Sequence, residues 1–81
     1  MTIKELNQQI YAVIRSSTET ELELTEDMHL ITQMGLSSVE IMLMISDLED
    51  HFGIELPIEE LRGVATIGQL CKTILETING R

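Results

Sequence analysis

The first apolar stripe of the chain predicts a helix that starts at its second residue. Thr2 and Glu5 have the spacing of a capping box, in which each side chain bonds a free backbone N–H of the first turn. The apolar residues that follow recur every three or four positions, as one face of a helix requires: Ile3, Leu6, Ile10, Val13 and Ile14. The pattern ends near Arg15, and residues 16–18 predict no further helix.

No sustained period is visible between residues 17 and 35. A connection of this length is uncommon in a small domain unless its own side chains pack. Thr25 and Asp27 can support one local turn. Six apolar side chains can hold the segment against the helices: Leu22, Leu24, Met28, Leu30, Ile31 and Met34. We therefore predict an ordered loop rather than a disordered one.

A second stripe predicts a helix from about Ser38 to Phe52. Its core positions again follow the helical period: Ile41, Met44, Ile45, Leu48 and Phe52. Gly53 is the expected C-terminal stop. Pro57 stands where a first helical turn tolerates a missing N–H, and residues 58–62 have room for only a short helix before Gly63.

Thr66 is the predicted N-cap of a last helix that ends at Asn79 and Gly80. Its stripe is the most regular in the chain: Ile67, Leu70, Cys71, Ile74, Leu75 and Ile78. No segment repeats, and none has the alternation of a strand. The prediction is an all-α fold, a small four-helix bundle with three long helices, one short helix and a long ordered loop between the first two long helices. It forms a single domain over residues 1–81.

The length and charge of the chain narrow the classes of function. A domain of 81 residues has a thin core, which favours a module acted on by other proteins over an enzyme with a large enclosed site. Five basic residues face fourteen acidic ones, for a formal net charge of −9. This balance argues against nucleic acid and anionic membranes as partners. It favours partners with basic patches, unless the charge serves solubility alone.

The single cysteine and the lengths of the apolar runs indicate the cellular compartment. Cys71 cannot form an internal disulfide and falls in a helical stripe, so we expect a buried, reduced thiol. Residues 1–17 mix polar and apolar positions and contain no apolar signal core. The longest apolar run, residues 41–45, is far shorter than the roughly 20 residues of a membrane span. We expect a cytoplasmic monomer.

The segment at residues 34–40 contains the most informative chemistry. Ser37 and Glu40 have the spacing of a second capping box, which makes Ser37 the predicted N-cap of the second helix. Ser38 then lies in the first turn with its hydroxyl free. A helix N-terminus presents free N–H groups and the positive end of the dipole, which suits a phosphate. By position alone, an ordinary solvated serine of the first turn is the better explanation of Ser38.

Two segments of the chain, residues 35–40 and 48–57, strongly resemble the acyl carrier protein family. The attachment motif of that family reads Gly-x-Asp-Ser-Leu, and its helix ends in a Leu-Glu-x-x-Phe segment followed by a proline. In this chain Gly35 matches the glycine, Ser38 matches the modified serine and Val39 replaces the leucine. The distances from the serine to the phenylalanine and the proline fit the family without a gap.

The resemblance implies that Ser38 carries 4′-phosphopantetheine, moved from coenzyme A by a phosphopantetheinyl transferase. The thiol of this arm would hold acyl groups as thioesters for the acyl-loading and acyl-processing enzymes of fatty acid, polyketide or related biosynthesis. The chain itself would catalyse nothing. Ser37 replaces the aspartate of the family, and Thr32 and Gln33 replace acidic residues often found before the glycine. These departures leave the identity of the transferase open.

The resemblance also implies that the bundle shelters the acyl chain between its helices. Methionine side chains are flexible and adapt to irregular space, so a core rich in them would open more easily. Four methionines are candidates for this role: Met28, Met34, Met42 and Met44.

The outward face of the second helix is a candidate partner surface. At 100° per residue, five residues lie opposite the core stripe: Val39, Met42, Leu43, Ser46 and Asp50. The family docks its enzymes along this helix, through basic or apolar patches on those enzymes. The resemblance therefore implies a docking set of Ser37, Val39, Glu40, Met42, Leu43, Glu49 and Asp50. The alternative is an unmodified helical domain that binds a protein through the same face.

Catalytic and metal-binding patterns are absent from the sequence. His29 and His51 have no cysteine or histidine partner at metal-ligand spacing. Ser38 has no predictable neighbouring base, which leaves a nucleophilic hydrolase unsupported. The acidic runs at residues 19–27 and 47–50 lack the loop spacing and glycine of an EF-hand. We predict no catalytic residue and no metal site.

Overall fold

The computed structural model describes residues 2–80, and of residue 58 only the backbone. Four helices follow one another along the chain: α1 (Ile3–Thr18), α2 (Ser38–Phe52), α3 (Ile58–Leu61) and α4 (Ile67–Asn79). Within these residues the only β-type pairing is an isolated bridge between His29 and Thr66. The predicted all-α bundle of three long helices and one short helix is confirmed.

The predicted helix starts are confirmed, with one difference in detail. At α1 only half of the capping box forms: Thr2 Oγ1 accepts a hydrogen bond from the Glu5 N–H at 3.1 Å. At α4 both halves form. The Gln69 N–H donates to Thr66 Oγ1 at 3.2 Å, and the Thr66 N–H donates to Gln69 Oε1 at 3.1 Å. Each long helix therefore begins at a side chain that accepts a hydrogen bond from one free N–H group of the first turn.

The predicted end of α1 was wrong, because the helix continues three residues past Arg15 to Thr18. Polar contacts rather than apolar ones hold this last turn. The Thr18 hydroxyl donates to the Ile14 carbonyl at 2.7 Å, and the Ser17 hydroxyl donates to an Asp47 carboxylate oxygen. Glu19 then adopts the left-handed conformation, with φ at 53°, and ends the helix. The spacing of apolar residues could not predict this turn, because hydrogen bonds from side-chain hydroxyl groups stabilise it.

The core lies between the apolar faces of α1, α2 and α4. Its fully buried large side chains come from these three helices: Ile10, Ile14, Met44, Leu48, Ile67, Leu70 and Ile74. Six residues of the predicted stripes depart from expectation. Ile3 is exposed on the first turn of α1, and five others are only half-buried against the core: Val13, Ile41, Phe52, Leu75 and Ile78.

The long loop between α1 and α2 is ordered, as predicted, but fewer of its apolar side chains are buried than the sequence analysis expected. Leu24 and Leu30 are buried and Met28 and Met34 are half-buried, whereas Leu22 and Ile31 are exposed. The predicted local turn is present, with the Met28 N–H donating to the Thr25 carbonyl at 3.2 Å.

Backbone hydrogen bonds attach this loop to the start of α4. The Ile67 N–H donates to the Met28 carbonyl at 3.0 Å, and the Gly68 N–H donates to the Glu26 carbonyl at 2.9 Å. The loop thus satisfies N–H groups that the first turn of α4 leaves free. A Cβ at Gly68 would lie 3.0 Å from that Glu26 carbonyl oxygen, so glycine permits the close approach.

Across residues 2–80, no helix is both long enough and apolar enough to cross a membrane.

Candidate functional site

The start of α2 is held by a complete capping box. The Glu40 N–H donates to Ser37 Oγ at 3.2 Å, and the Ser37 N–H donates to Glu40 Oε1 at 3.1 Å. Ser37 has extended backbone angles, and Ser38 is the first helical residue. Ser38 is exposed, and its hydroxyl has no hydrogen-bond partner within residues 2–80. The predicted division of the two serines, one capping and one free, is confirmed.

Gly35 and Leu36 direct the chain into this helix. Gly35 has φ at +69°, a conformation that favours glycine, and a Cβ there would meet nothing within 4 Å. The constraint on Gly35 is therefore conformational rather than steric. The next residue, Leu36, is buried, and its N–H donates to the Leu30 carbonyl at 3.1 Å. A buried leucine between a turn and a cap places the two serines at the surface.

His29 organises the turn that precedes Gly35. Its Nδ1 accepts hydrogen bonds from the N–H groups of Ile31 and Thr32, at 3.2 Å each. Its own N–H donates to Gln33 Oε1 at 2.6 Å. The arrangement resembles a capping box, because two side chains of one turn each accept from backbone N–H groups of that turn. Here the acceptors are the imidazole of His29 and the side-chain amide oxygen of Gln33, four residues on. Sequence reasoning missed this role, and the pair of His29 with Gln33 was the available signal.

An apolar cavity of about 120 Å³ lies between α2, the loop and the segment that follows α3. Apart from His29, the lining residues that the structure describes are all apolar: Leu30, Ile31, Ile41, Ile45, Leu61, Val64 and Ala65. None of the four methionines predicted to ease its opening lines it. Met44 is fully buried in the core and Met42 is exposed on the outer face. Most of the lining residues are isoleucine, valine or leucine.

The outward face of α2 is apolar over its first two turns. Val39 is 65% exposed, Met42 is 70% exposed and Leu43 is 58% exposed. Ser46 and Asp50 continue the same face and are also exposed. The predicted phase of the helix is confirmed.

Two of the three acidic residues predicted for this docking face, Glu40 and Glu49, have hydrogen-bond partners within the chain, whereas Asp50 is exposed. Glu40 closes the capping box with Ser37. Glu49 Oε2 accepts a hydrogen bond from the Leu56 N–H at 2.9 Å and so holds the connection after α2. Both carboxylates therefore stabilise the local backbone, at the start of α2 and at the connection after it.

The remaining nucleophilic and ligating side chains do not form a second site. No three histidine, cysteine or acidic residues of the described part of the chain are placed to hold a metal ion. His51 contacts Gln9 Oε1 at 3.3 Å and packs edge-on against Phe52. Cys71 is buried and unpaired, as predicted, and its burial is the main cause that raises the pKa of the thiol to about 11. This thiol is protonated at neutral pH.

Two comparisons with known proteins bear on the start of α2. The family described as "Phosphopantetheine attachment site" matches residues 8–74, which is most of the chain. Among solved structures, a Mycobacterium tuberculosis protein described as a candidate acyl carrier protein aligns with a TM-score of 0.81 at 23% identity. The alignment covers 86% of this chain and 95% of that one, and it supports the same helical fold.

Proposed function

We propose that this chain, which belongs to the phosphopantetheine attachment site family, is an acyl carrier protein that bears its 4′-phosphopantetheine arm on Ser38. The observation that carries the assignment to Ser38 is the hydrogen bonding at the start of α2. The hydroxyl of Ser37 accepts the cap hydrogen bond, whereas that of Ser38 is exposed and free.

The position of Ser38 also suits the charge of the group. A phosphodiester there would lie beside the free N–H groups and the positive end of the α2 dipole. The favourable field partly offsets the net charge of −9 that the chain already has. A serine within the body of the helix would lack this compensation, since the dipole effect falls off within the first turn.

The chain contributes position rather than catalysis. When bound, the arm supplies a terminal thiol that carries acyl groups as thioesters. Ser38 fixes one end of the arm at a helix start, so that a partner enzyme meets the thiol at high effective concentration. A phosphopantetheinyl transferase loads the arm from coenzyme A, and enzymes of fatty acid, polyketide or related biosynthesis use it.

The apolar cavity behind α2 is the proposed shelter for the cargo. Among the residues that the structure describes, its walls offer a single polar residue, His29, and this suits a hydrocarbon better than a polar group. An apolar cavity of about 150 Å³ is sufficient to bind benzene. A cavity of about 120 Å³ therefore admits a chain of a few carbons, and a longer one requires α2 and the loop to separate.

Mass spectrometry tests the assignment directly. The unmodified protein is incubated with coenzyme A and a broad-specificity phosphopantetheinyl transferase, and the mass gain of one arm is measured. Ser38→Ala should abolish the gain with helicity intact by circular dichroism. Ser37→Ala is the matched control: it should accept the arm but lose about 1 kcal/mol of stability through the cap. Normal labelling of Ser38→Ala would show that the assignment is wrong.

The alternative, an unmodified interaction domain, is favoured only by the exposed apolar face of α2. It predicts no mass gain in any variant, wild type included. The same experiment therefore separates the two functions.

A further inference from the structure

We propose that His29 determines which cargo the apolar cavity binds, because its Nε2–H donates a hydrogen bond to an oxygen on a short acyl group held there. The inference rests on the proposed function, since the acyl group reaches the cavity on the arm of Ser38. It adds the class of cargo: a chain of a few carbons that bears one oxygen in addition to that of the thioester.

The hydrogen bonds of the turn before Gly35 fix which nitrogen of His29 carries the hydrogen. Nδ1 accepts from the N–H groups of Ile31 and Thr32, at 3.2 Å each, and an acceptor nitrogen has no hydrogen of its own. In the neutral imidazole the hydrogen is therefore on Nε2, which makes this atom a donor. The tautomer follows from the backbone of the turn and does not depend on a ligand.

This donor is not used within the fold. Nε2 of His29 has no hydrogen-bond partner within residues 2–80. Every buried side-chain nitrogen or oxygen of the described residues has a partner, so Nε2 is not one of the buried atoms. His29 is half-buried and lines the cavity, and its Nε2–H is therefore open to a water or a ligand. A few placed polar groups in an apolar pocket are what usually orient a ligand.

The cavity brings a short acyl group close to this donor. Its other described lining residues are apolar, so an oxygen enclosed there finds no other polar side chain. Ile41 and Ile45 form one wall, three and seven residues past Ser38, about 4.5 and 10.5 Å along the axis of α2. A volume of about 120 Å³ holds only a few carbons, so every atom of such a cargo lies near the walls.

A plain hydrocarbon in the cavity would cover Nε2–H without bonding it. The donor would lose its water, and an unpaired donor costs more free energy than an ordinary hydrogen bond contributes. A hydroxyl or carbonyl oxygen on the cargo takes the place of that water. Sites that hydrogen-bond an oxygen of their ligand reject the analogue without it for this reason. The apolar walls thus favour a carbon chain, and His29 favours one that carries an oxygen.

The test compares two acyl groups of nearly equal size, β-hydroxybutyryl and β-methylbutyryl, which differ only in a hydroxyl or a methyl at the same carbon. A broad-specificity phosphopantetheinyl transferase loads each on the protein from its coenzyme A thioester. Protection is the factor by which the protein slows thioester cleavage by hydroxylamine, relative to the same acyl group on free pantetheine. The protection of the hydroxylated cargo divided by that of the methylated cargo is the oxygen preference.

His29→Asn is the decisive variant, because its side-chain oxygen can replace Nδ1 in the turn but it has no donor in place of Nε2. Its oxygen preference should be about twofold to tenfold lower than that of the wild type, the range expected for one hydrogen bond. The matched control is Ile31→Leu, a change of another wall residue at constant volume, which should leave the preference within about 1.5-fold. In the wild type, the Nε2 resonance of His29 in NMR spectra should shift with the hydroxylated cargo and hardly move with the methylated one.

Three results would overturn the proposal. One is an equal oxygen preference in the wild type and His29→Asn, and another is an equal fall in Ile31→Leu. The third is no protection of either cargo in the wild type, since the cavity would then hold neither. Circular dichroism checks the fold of His29→Asn, and the NMR comparison tests the hydrogen bond without any substitution. Failure of the proposed function looks different: the wild type gains no mass from either coenzyme A thioester, and the inference then falls with it.

Discussion

Replacing His29 with alanine should destabilise the turn that leads into α2. The imidazole Nδ1 accepts two backbone hydrogen bonds, from Ile31 and Thr32. Alanine removes this acceptor and leaves both N–H groups to solvent. The hydrogen bond from the residue 29 N–H to Gln33 Oε1 can persist, because it uses only the backbone of that residue. The variant therefore removes one half of a reciprocal pair.

The magnitude follows from the kind of hydrogen bond that the substitution removes. Removing a side-chain acceptor at a helix cap costs about 0.5 to 2 kcal/mol. The turn lies at the surface, where water replaces part of the missing bonding, so we expect about 1 kcal/mol. For a domain of this size, that corresponds to a fall of roughly 4 to 8 °C in Tm.

Asparagine provides the matched control for this variant. Its side-chain oxygen can accept from N–H groups two and three residues on, as it does at ordinary caps and Asx-turns. His29→Asn should therefore retain most of the stability that His29→Ala loses. Thermal unfolding followed by circular dichroism gives the stabilities. Amide exchange by NMR should show faster exchange at Ile31 and Thr32 in the alanine variant only.

Two results would refute this account. Equal destabilisation of both variants would mean that the imidazole acts by packing against the cavity wall, not as an acceptor. Unchanged stability and unchanged exchange in His29→Ala would mean that the carbonyl of His29, which accepts from Gln33 and Met34, holds the turn alone.

Three other predictions can be measured by the same unfolding assay. Leu48→Ala should cost about 2 to 5 kcal/mol because Leu48 is fully buried, whereas Leu43→Glu should cost at most about 0.5 kcal/mol; similar losses would contradict the phase of α2. Stability should fall as pH rises between the reference pKa of Cys71, 9.0, and its raised pKa of about 11, since the unfolded thiol loses its proton first; Cys71→Ala should lack this component. Added NaCl should raise Tm by screening the net charge of −9, and a flat or falling Tm across the series would contradict that repulsion.

The sequence was most informative where two independent signals coincided. At α2, a capping box and a helical apolar period both indicated a start at Ser38, and a glycine indicated the stop after Phe52; the structure has these bounds. At the end of α1 the only signal was the apolar period, and the last turn is held by hydroxyl groups instead. The prediction stopped short there for that reason.

Contacts made by the backbone could not be predicted from the side-chain pattern. Loop order depends in part on the N–H groups of Ile67 and Gly68, which bond carbonyls about forty residues earlier in the chain. The number of methionines likewise suggested that they would ease the opening of the cavity. The residues that line the cavity depend instead on how the loop crosses α2, which the composition does not indicate. Ile41 and Ile45 line the cavity, and neither was predicted to do so.

Ser37 is a neutral N-cap, so it adds no negative charge to the first turn of α2, whereas the aspartate of the family motif would. Glu40 already places one carboxylate in the first turn of α2, bonded back to the Ser37 N–H. A phosphodiester on Ser38 would add a second negative charge within the same turn. An aspartate cap would make three, whereas the positive end of a helix dipole amounts to about half an elementary charge. Serine supplies the same hydrogen bond to the Glu40 N–H without that charge. In a chain with fourteen acidic residues and five basic ones, this arrangement keeps the cap while limiting repulsion where the arm would be attached.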